Sequence, residues 1–205
     1  MNLFDDTREE HLPLPDADLS LWQRLPLPIR PSALLEELID QTPWRCDSVT
    51  VFGKTHQQPR LSAWYGDPEA HYRYSGIALT PLSWTTTLQQ IRSAVETASR
   101  HTFNSVLLNY YRDHRDGMGM HADDEPELGP RPVIASLSLG EERALVFQHR
   151  YRKELKRVRV SLPPGSLLLM RGDTQRCWKH GIDKLRRPCG PRLNLTFRSI
   201  RHHHC

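Results

Sequence analysis

The sequence is short of the features that commit a chain to a membrane or to the cell exterior. A bilayer span takes about 20 consecutive apolar residues, and no apolar run here comes close to that length. The N-terminal residues lack the charged-then-apolar pattern of a secretory signal. Cysteine is scarce. The four present, Cys46, Cys177, Cys189 and Cys205, show no zinc-type pairing. They read as reduced thiols, so the expectation is a cytoplasmic protein, or a nuclear one in a eukaryote. No membrane association is expected, and a monomer is. Neither sign of charge is in large excess: 28 Lys plus Arg against 24 Asp plus Glu leave a net charge of +4. That balance permits a nucleic-acid partner without demanding one. There is no internal repeat or low-complexity tract, which sets aside solenoids and disordered arrays. The 205 residues suffice for one domain with a sizeable core.

The positive charge that is present is clustered. Arg150, Arg152, Lys153, Lys156, Arg157 and Arg159 stand against Glu154 alone, and Lys179, Lys184, Arg186 and Arg187 form a second run. Each is either a solvated hairpin or a phosphate-contacting surface. Residues 1–30 are rich in proline and acidic groups and read as an extended, partly ordered lead-in to a single domain over 31–205. A helix is expected from a Ser32 N-cap, with Leu34, Leu35, Leu38 and Ile39 on its apolar face and Pro43 beyond its end. The spacing of Leu88, Ile91, Val95 and Ala98 predicts a second amphipathic helix over Thr87 to Arg100.

The densest chemistry lies in Met118-Gly-Met-His-Ala-Asp-Asp-Glu-Pro-Glu127. In an extended chain His121 and Asp123 share a face, about 7 Å apart at the backbone. An imidazole and a carboxylate so placed are two thirds of the 2-His-1-carboxylate triad that holds non-haem Fe(II). Alone, a His-x-Asp is a common chance triplet. Downstream, Val133 to Leu139, Ala144 to His149, Arg157 to Leu162 and Ser166 to Met170 read as strands, with Pro163-Pro164-Gly165 as a turn. They lead to His180, a candidate third ligand. An antiparallel double-layer roll can bring such distant strand ends together.

Arg192-Leu-Asn-Leu-Thr-Phe-Arg198 alternates over seven residues and reads as a half-buried strand. Its polar face carries Arg192, Asn194, Thr196 and Arg198. Two inward arginines are costly without anions, and a dicarboxylate supplies two through bidentate pairing. The plain alternative is a solvated basic face. Upstream, Val106 to Tyr111 reads as a strand with Asn109 and Tyr111 on one face, able to complete a carboxylate pocket.

Asn-x-Tyr, His-x-Asp, His and Arg-x-Asn-x-x-x-Arg, in this order and spacing, resemble the AlkB family of Fe(II)/2-oxoglutarate dioxygenases, which reverse alkylation of nucleic-acid bases. The resemblance covers roughly residues 50–200. It implies a mainly β fold with flanking helices (α+β): a double-stranded β-helix, or jelly roll, over about 103–200, and an N-terminal nucleotide-recognition lid over about 48–82. It implies that His121, Asp123 and His180 bind Fe(II) and are catalytic. Asn109 and Arg198 would hold the 2-oxoglutarate carboxylate nearest the metal, and Tyr111, Arg192 and Asn194 the distal one. O2 would be the co-reactant. Val51-Phe52-Gly53, whose plain reading is a core strand and turn, matches the apolar wedge of the duplex-repairing homologue. Tyr72 and Tyr74 would stack on a flipped base; packing of a hairpin on the core is the alternative. Glu125 matches the acidic base-reading position. The implied activity is oxidative demethylation of 1-methyladenine- and 3-methylcytosine-type lesions in alkylated DNA, with release of formaldehyde, succinate and CO2. The alternative is a hydroxylase or demethylase of the same chemistry acting on RNA, protein or a small molecule.

Overall fold

The computed structural model of the chain describes residues 7–51, 54–70, 72–74 and 77–201, and the side chains of 7–48, 57–70 and 80–201. The elements in chain order are β1 (Glu9–Leu12), β2 (Asp18–Trp22), α1 (Pro31–Gln41), β3 (Ser48–Val51), β4 (Lys54–Gln57), β5 (Leu61–Gly66), β6 (Tyr72–Tyr74), β7 (Ile77–Leu79), α2 (Thr86–Ser99), β8 (Ser105–Tyr111), β9 (Met118–His121), β10 (Ile134–Gly140), β11 (Arg143–His149), β12 (Val158–Leu162), β13 (Leu167–Arg171), α3 (Thr174–Cys177), β14 (Trp178–Ile182) and β15 (Arg192–Arg198).

A seven-stranded sheet runs β1-β2-β13-β10-β15-β8-β5, and a four-stranded sheet runs β12-β11-β14-β9. Side-chain period two explains how they stack. On the large sheet, Leu193, Leu195 and Phe197 of β15, with Leu137 of β10 and Leu167 of β13, turn to one side and pack on Leu34 and Leu38 of α1 and Leu88, Ile91 and Val95 of α2. The intervening positions, among them Leu168, Met170 and Tyr111, turn to the other side and meet Leu145, Phe147, Trp178 and Ile182 of the small sheet. Two antiparallel sheets thus face one another with the helices behind the larger, the expected jelly-roll layering. The interior strand β15 is buried at all seven positions rather than half-buried. Its polar face points between the sheets, so the solvated-face alternative is excluded.

Three expectations need correction. The reading of residues 1–30 as a lead-in fails for β1 and β2: β2 pairs with β13 from Leu167↔Trp22 to Arg171↔Asp18, and Leu19 and Leu21 are buried between the sheets. The short Asp-Leu-Ser-Leu-Trp alternation is flanked by prolines, which hid it. Helix α1 starts at Pro31, not after a Ser32 cap; the N-cap is Arg30, without a side-chain bond. Proline at the first helical position costs nothing, because its missing N–H has no helical acceptor there. The second helix does carry a cap: the Thr85 side chain accepts from the Leu88 N–H at 3.2 Å. Lastly, β5 falls within the expected lid but pairs with β8 as the edge of the large sheet, and it buries Trp64 and Tyr65. The rest of that stretch contains two separate hairpins, β3–β4 and β6–β7. Phe52 lies outside the described residues, as do the side chains of Val51, Tyr72 and Tyr74.

Candidate active site

β9 and β14 pair so that His121 stands opposite His180. The two imidazole centroids are 4.4 Å apart at 59°. Gly181 permits this approach. A Cβ at that position would lie 2.8 Å from the Met118 carbonyl oxygen, and the strand register shifts just there. Asp123 follows two residues after β9 ends, and its backbone N–H donates to Gln175 Oε1 at 3.0 Å. One ligand atom from each of His121, Asp123 and His180 lies within 4.8 Å of the others. His180 Nε2 is 3.7 Å from Asp123 Oδ2.

The tautomer of His121 follows from its neighbour. Nδ1 lies 3.0 Å from the Gly119 carbonyl oxygen. A carbonyl only accepts, so Nδ1 carries a proton, and Nε2 is the ring nitrogen left for the ligand position. Asp123 is 3% exposed. Burial works against its charge. Nevertheless the Arg198 guanidinium at 2.7 Å and the two imidazoles hold its carboxyl well below the usual carboxylate range. Burial, aided by His121 and opposed by Asp123, pushes His180 down to about 3. At neutral pH His180 is therefore an uncharged imidazole beside a carboxylate, the protonation states a divalent metal requires. Asp123 Oδ2 and His180 Nδ1 are buried without a hydrogen-bond partner among the described residues. The donor set fits Fe(II).

Next to this cluster β15 presents Arg192, Asn194, Thr196 and Arg198, directly opposite the Tyr111 and Asn109 positions of β8. Arg192 is 2% exposed. Its Nη2 donates to Ser138 Oγ at 3.0 Å, and its guanidinium lies 5.2 Å from the Tyr111 ring centre. Nε and Nη1 are buried with no acceptor among the described residues. Burial holds this arginine below its ordinary value; Tyr111 opposes the shift and Arg143 adds to it. A buried cation with two idle donors fits one carboxylate end of a small dicarboxylate. Asn194 is differently committed: Nδ2 donates to Ser136 Oγ at 2.8 Å and to the Leu137 carbonyl at 3.1 Å, and Oδ1 accepts from Thr196.

The model of one family matches residues 29–198. The chain belongs to the 2OG-Fe(II) oxygenase superfamily. Its members use Fe(II), 2-oxoglutarate and O2. Over 175 residues the chain is 41% identical to the alpha-ketoglutarate-dependent dioxygenase alkB homolog 3 of Mus musculus, covering 82% of this chain and 60% of that protein. It is 41% identical over 172 residues to the DNA oxidative demethylase ALKBH2 of Mus musculus, covering 81% and 72%. The human ALKBH2 gives 44% over 158 residues, covering 74% and 60%. The chain thus spans about three fifths of the length of the first of these relatives, and it falls among AlkB-type oxygenases. Among solved structures, OsALKBH1 superposes with a TM-score of 0.62 at 18% identity, covering 94% of this chain and all of that one. An oxygenase from Burkholderia pseudomallei gives 0.53 at 14%. Those likenesses are of fold.

The structure brings His121, Asp123, His180, Asn109, Tyr111, Arg192, Asn194 and Arg198 to one slot between the sheets. Glu125 lies just beyond Asp123. It is half-buried, and its Oε2 has no partner among the described residues. Asp124 is tied to Arg150 Nη1 at 2.5 Å. Of the basic run, Arg152 pairs with Glu154 and Asp16, and Arg159 with Asp183. Lys153, Lys156 and Arg157 are exposed and make no ion pair with a described residue. Sequence reading missed Gln175, which anchors the Asp123 backbone, and the serines 136 and 138 that hold Asn194 and Arg192. To Arg143 it assigned no role; the buried Nη2 of that residue donates to the carbonyls of Asp116 and Asp183. None of these carries a periodic or spacing signal.

Proposed function

We propose that the protein oxidatively demethylates N-alkylated bases of the 1-methyladenine and 3-methylcytosine type, with DNA as the substrate. The observation that carries this reading is the slot itself. A triad of two imidazoles and a carboxylate stands beside an arginine whose idle donors await a carboxylate, in a chain whose relatives include DNA oxidative demethylases. His121, Asp123 and His180 would hold Fe(II). Arg192, with Tyr111, would receive the far carboxylate of 2-oxoglutarate, and Asn109 and Arg198 the near one. When bound, iron with 2-oxoglutarate and O2 supplies an oxidant that hydroxylates the N-methyl carbon. The balance is N–CH3 plus O2 plus 2-oxoglutarate, giving N–H, formaldehyde, succinate and CO2. The residues of this chain orient the cosubstrate, keep Asp123 ionised and His180 neutral, and exclude water by burial. A DNA substrate places the enzyme in the cytoplasm of a prokaryote or the nucleus of a eukaryote.

Formaldehyde release from matched 1-methyladenine oligomers, as single-stranded DNA, duplex DNA and RNA, tests the proposal. The expected result is one formaldehyde per succinate on DNA. Consumption of 2-oxoglutarate with no formaldehyde from any oligomer would overturn it.

Two substrate contacts follow. Methylation at these positions makes the base cationic, and a carboxylate at Glu125 would pair with the charge and accept from the exocyclic amine. Glu125→Ala should lower demethylation about 10–100-fold, the value of a charge-assisted hydrogen bond. Uncoupled 2-oxoglutarate consumption should persist; equal loss of both would mean that Glu125 does not read the base. Phe52 falls between β3 and β4 in the sequence, and an apolar wedge there would replace an extruded base. Unstacking costs a few kcal/mol in duplex and far less in a single strand. Phe52→Ala should therefore slow duplex repair at least about tenfold more than single-strand repair; equal slowing would remove the wedge from the account.

A further inference from the structure

Arg60 immediately precedes the edge strand β5 and is 5% exposed. Its Nε–H donates to Asn109 Oδ1 at 2.7 Å. This bond settles the orientation of the Asn109 amide. A guanidinium has donors only, so the amide atom that faces it has to be the oxygen. Asn109 stands on a wall between two spaces. On one side is the slot that holds His121, Asp123 and Arg192. On the other is a cavity of about 400 Å³ beside the outer edge of β5, lined by Arg60, Trp44, Trp64 and Leu107. The oxygen is turned toward Arg60, and no other hydrogen bond to the amide occurs among the described residues. The two N–H donors are thereby left for the slot.

We infer that Arg60 is a positioning residue for the cosubstrate: by engaging Oδ1 it holds the Asn109 amide with its N–H donors toward the slot, where a carboxylate oxygen of 2-oxoglutarate accepts them. The inference rests on the reading of the slot as a 2-oxoglutarate site. Without Arg60 the amide can turn over and set its own oxygen against the carboxylate. Both ends of that contact would then be acceptors, and the bond would become a repulsion. Arg60 touches no reacting atom; its effect passes through Asn109.

The test is a binding measurement without turnover: calorimetric titration of 2-oxoglutarate into the Mn(II)-loaded full chain. Four proteins are compared: wild type, Arg60→Met, Asn109→Ala and the double variant. Arg60→Met keeps the side-chain length but removes the donors. It should weaken 2-oxoglutarate about tenfold, within the range for a hydrogen bond to a charged group. In the Asn109→Ala background the same change should cost less than about twofold, because a residue acting through Asn109 has nothing left to act on. Arg60→Gln, which keeps an N–H donor, should recover much of the affinity. Wild-type affinity in Arg60→Met, or losses that multiply in the double variant, would overturn the inference. Should Arg60→Met not fold, Asn109→Asp decides. Its carboxylate can pair with Arg60 but offers the slot no N–H, so affinity should fall while the fold holds; unchanged affinity would refute the role. A wild type that binds Mn(II) but no 2-oxoglutarate would instead overturn the reading of the slot itself.

Discussion

Asp123→Ala should lose 2-oxoglutarate turnover by more than about 100-fold and also lose thermal stability. The first loss follows from chemistry. Residues that hydrogen-bond a metal ligand are worth about 10–100-fold, so removal of a ligand itself exceeds that. The second follows from burial. Asp123 and Arg198 are each 4% exposed at the side chain and 2.7 Å apart. Removing one partner of a buried ion pair costs about 3–5 kcal/mol, or about 6–20 °C in melting temperature for a chain of this size. Asp123→Asn retains the volume and one acceptor for Arg198. It should be nearly as inactive but clearly more stable than Asp123→Ala. Melting curves and succinate assays on the two variants check both parts. An Asp123→Ala protein as stable as wild type would mean that the carboxylate does not balance Arg198.

The second large effect has the opposite thermal signature. Arg192→Met should weaken 2-oxoglutarate binding about 100-fold or more, because the far carboxylate would enter a buried site with no cation to meet it. The protein without cosubstrate should be as stable as wild type, or more so. Arg192 donates to the Ser138 hydroxyl with Nη2 and lies against the Tyr111 ring, and its Nε and Nη1 have no acceptor among the described residues. A thioether of similar length removes a desolvated charge that the Tyr111 ring and the Ser138 hydroxyl offset only in part. Arg192 and Arg198 sit on the same face of one strand, yet they behave differently on substitution: Arg198 already balances Asp123 before the cosubstrate arrives, whereas Arg192 meets a carboxylate only when the cosubstrate binds. Calorimetry with Mn(II)-loaded protein and a melting curve decide the matter. Wild-type affinity, or a loss of several kcal/mol of stability, would contradict the assignment.

The strand that carries these arginines was legible in advance because period two and residue type coincide over Arg192 to Arg198. What could not be read was that both of its faces are covered, since alternation looks alike at a sheet surface and between two sheets. The metal cluster was legible for a related reason: His121, Asp123 and His180 are donor types whose order suits strand ends brought together by an antiparallel roll. The lead-in reading failed because prolines on either side of β2 outweighed a five-residue alternation. Trp64 and Tyr65 belong to a sheet edge rather than to a lid, since aromatic content alone does not distinguish the two. Arg60 and Gln175 left no mark because the bonds they make at the site reach across 49 and 52 positions respectively, which no local pattern encodes.

The most direct measurement is an anaerobic titration of 2-oxoglutarate into the Fe(II)-loaded protein, followed by the visible charge-transfer absorption that a chelated keto acid gives with ferrous iron. The account predicts a band that saturates at one equivalent in the wild type and is absent from Asp123→Ala and His180→Ala. A band that persists in either variant, or a wild type that binds iron yet never develops one, would contradict it.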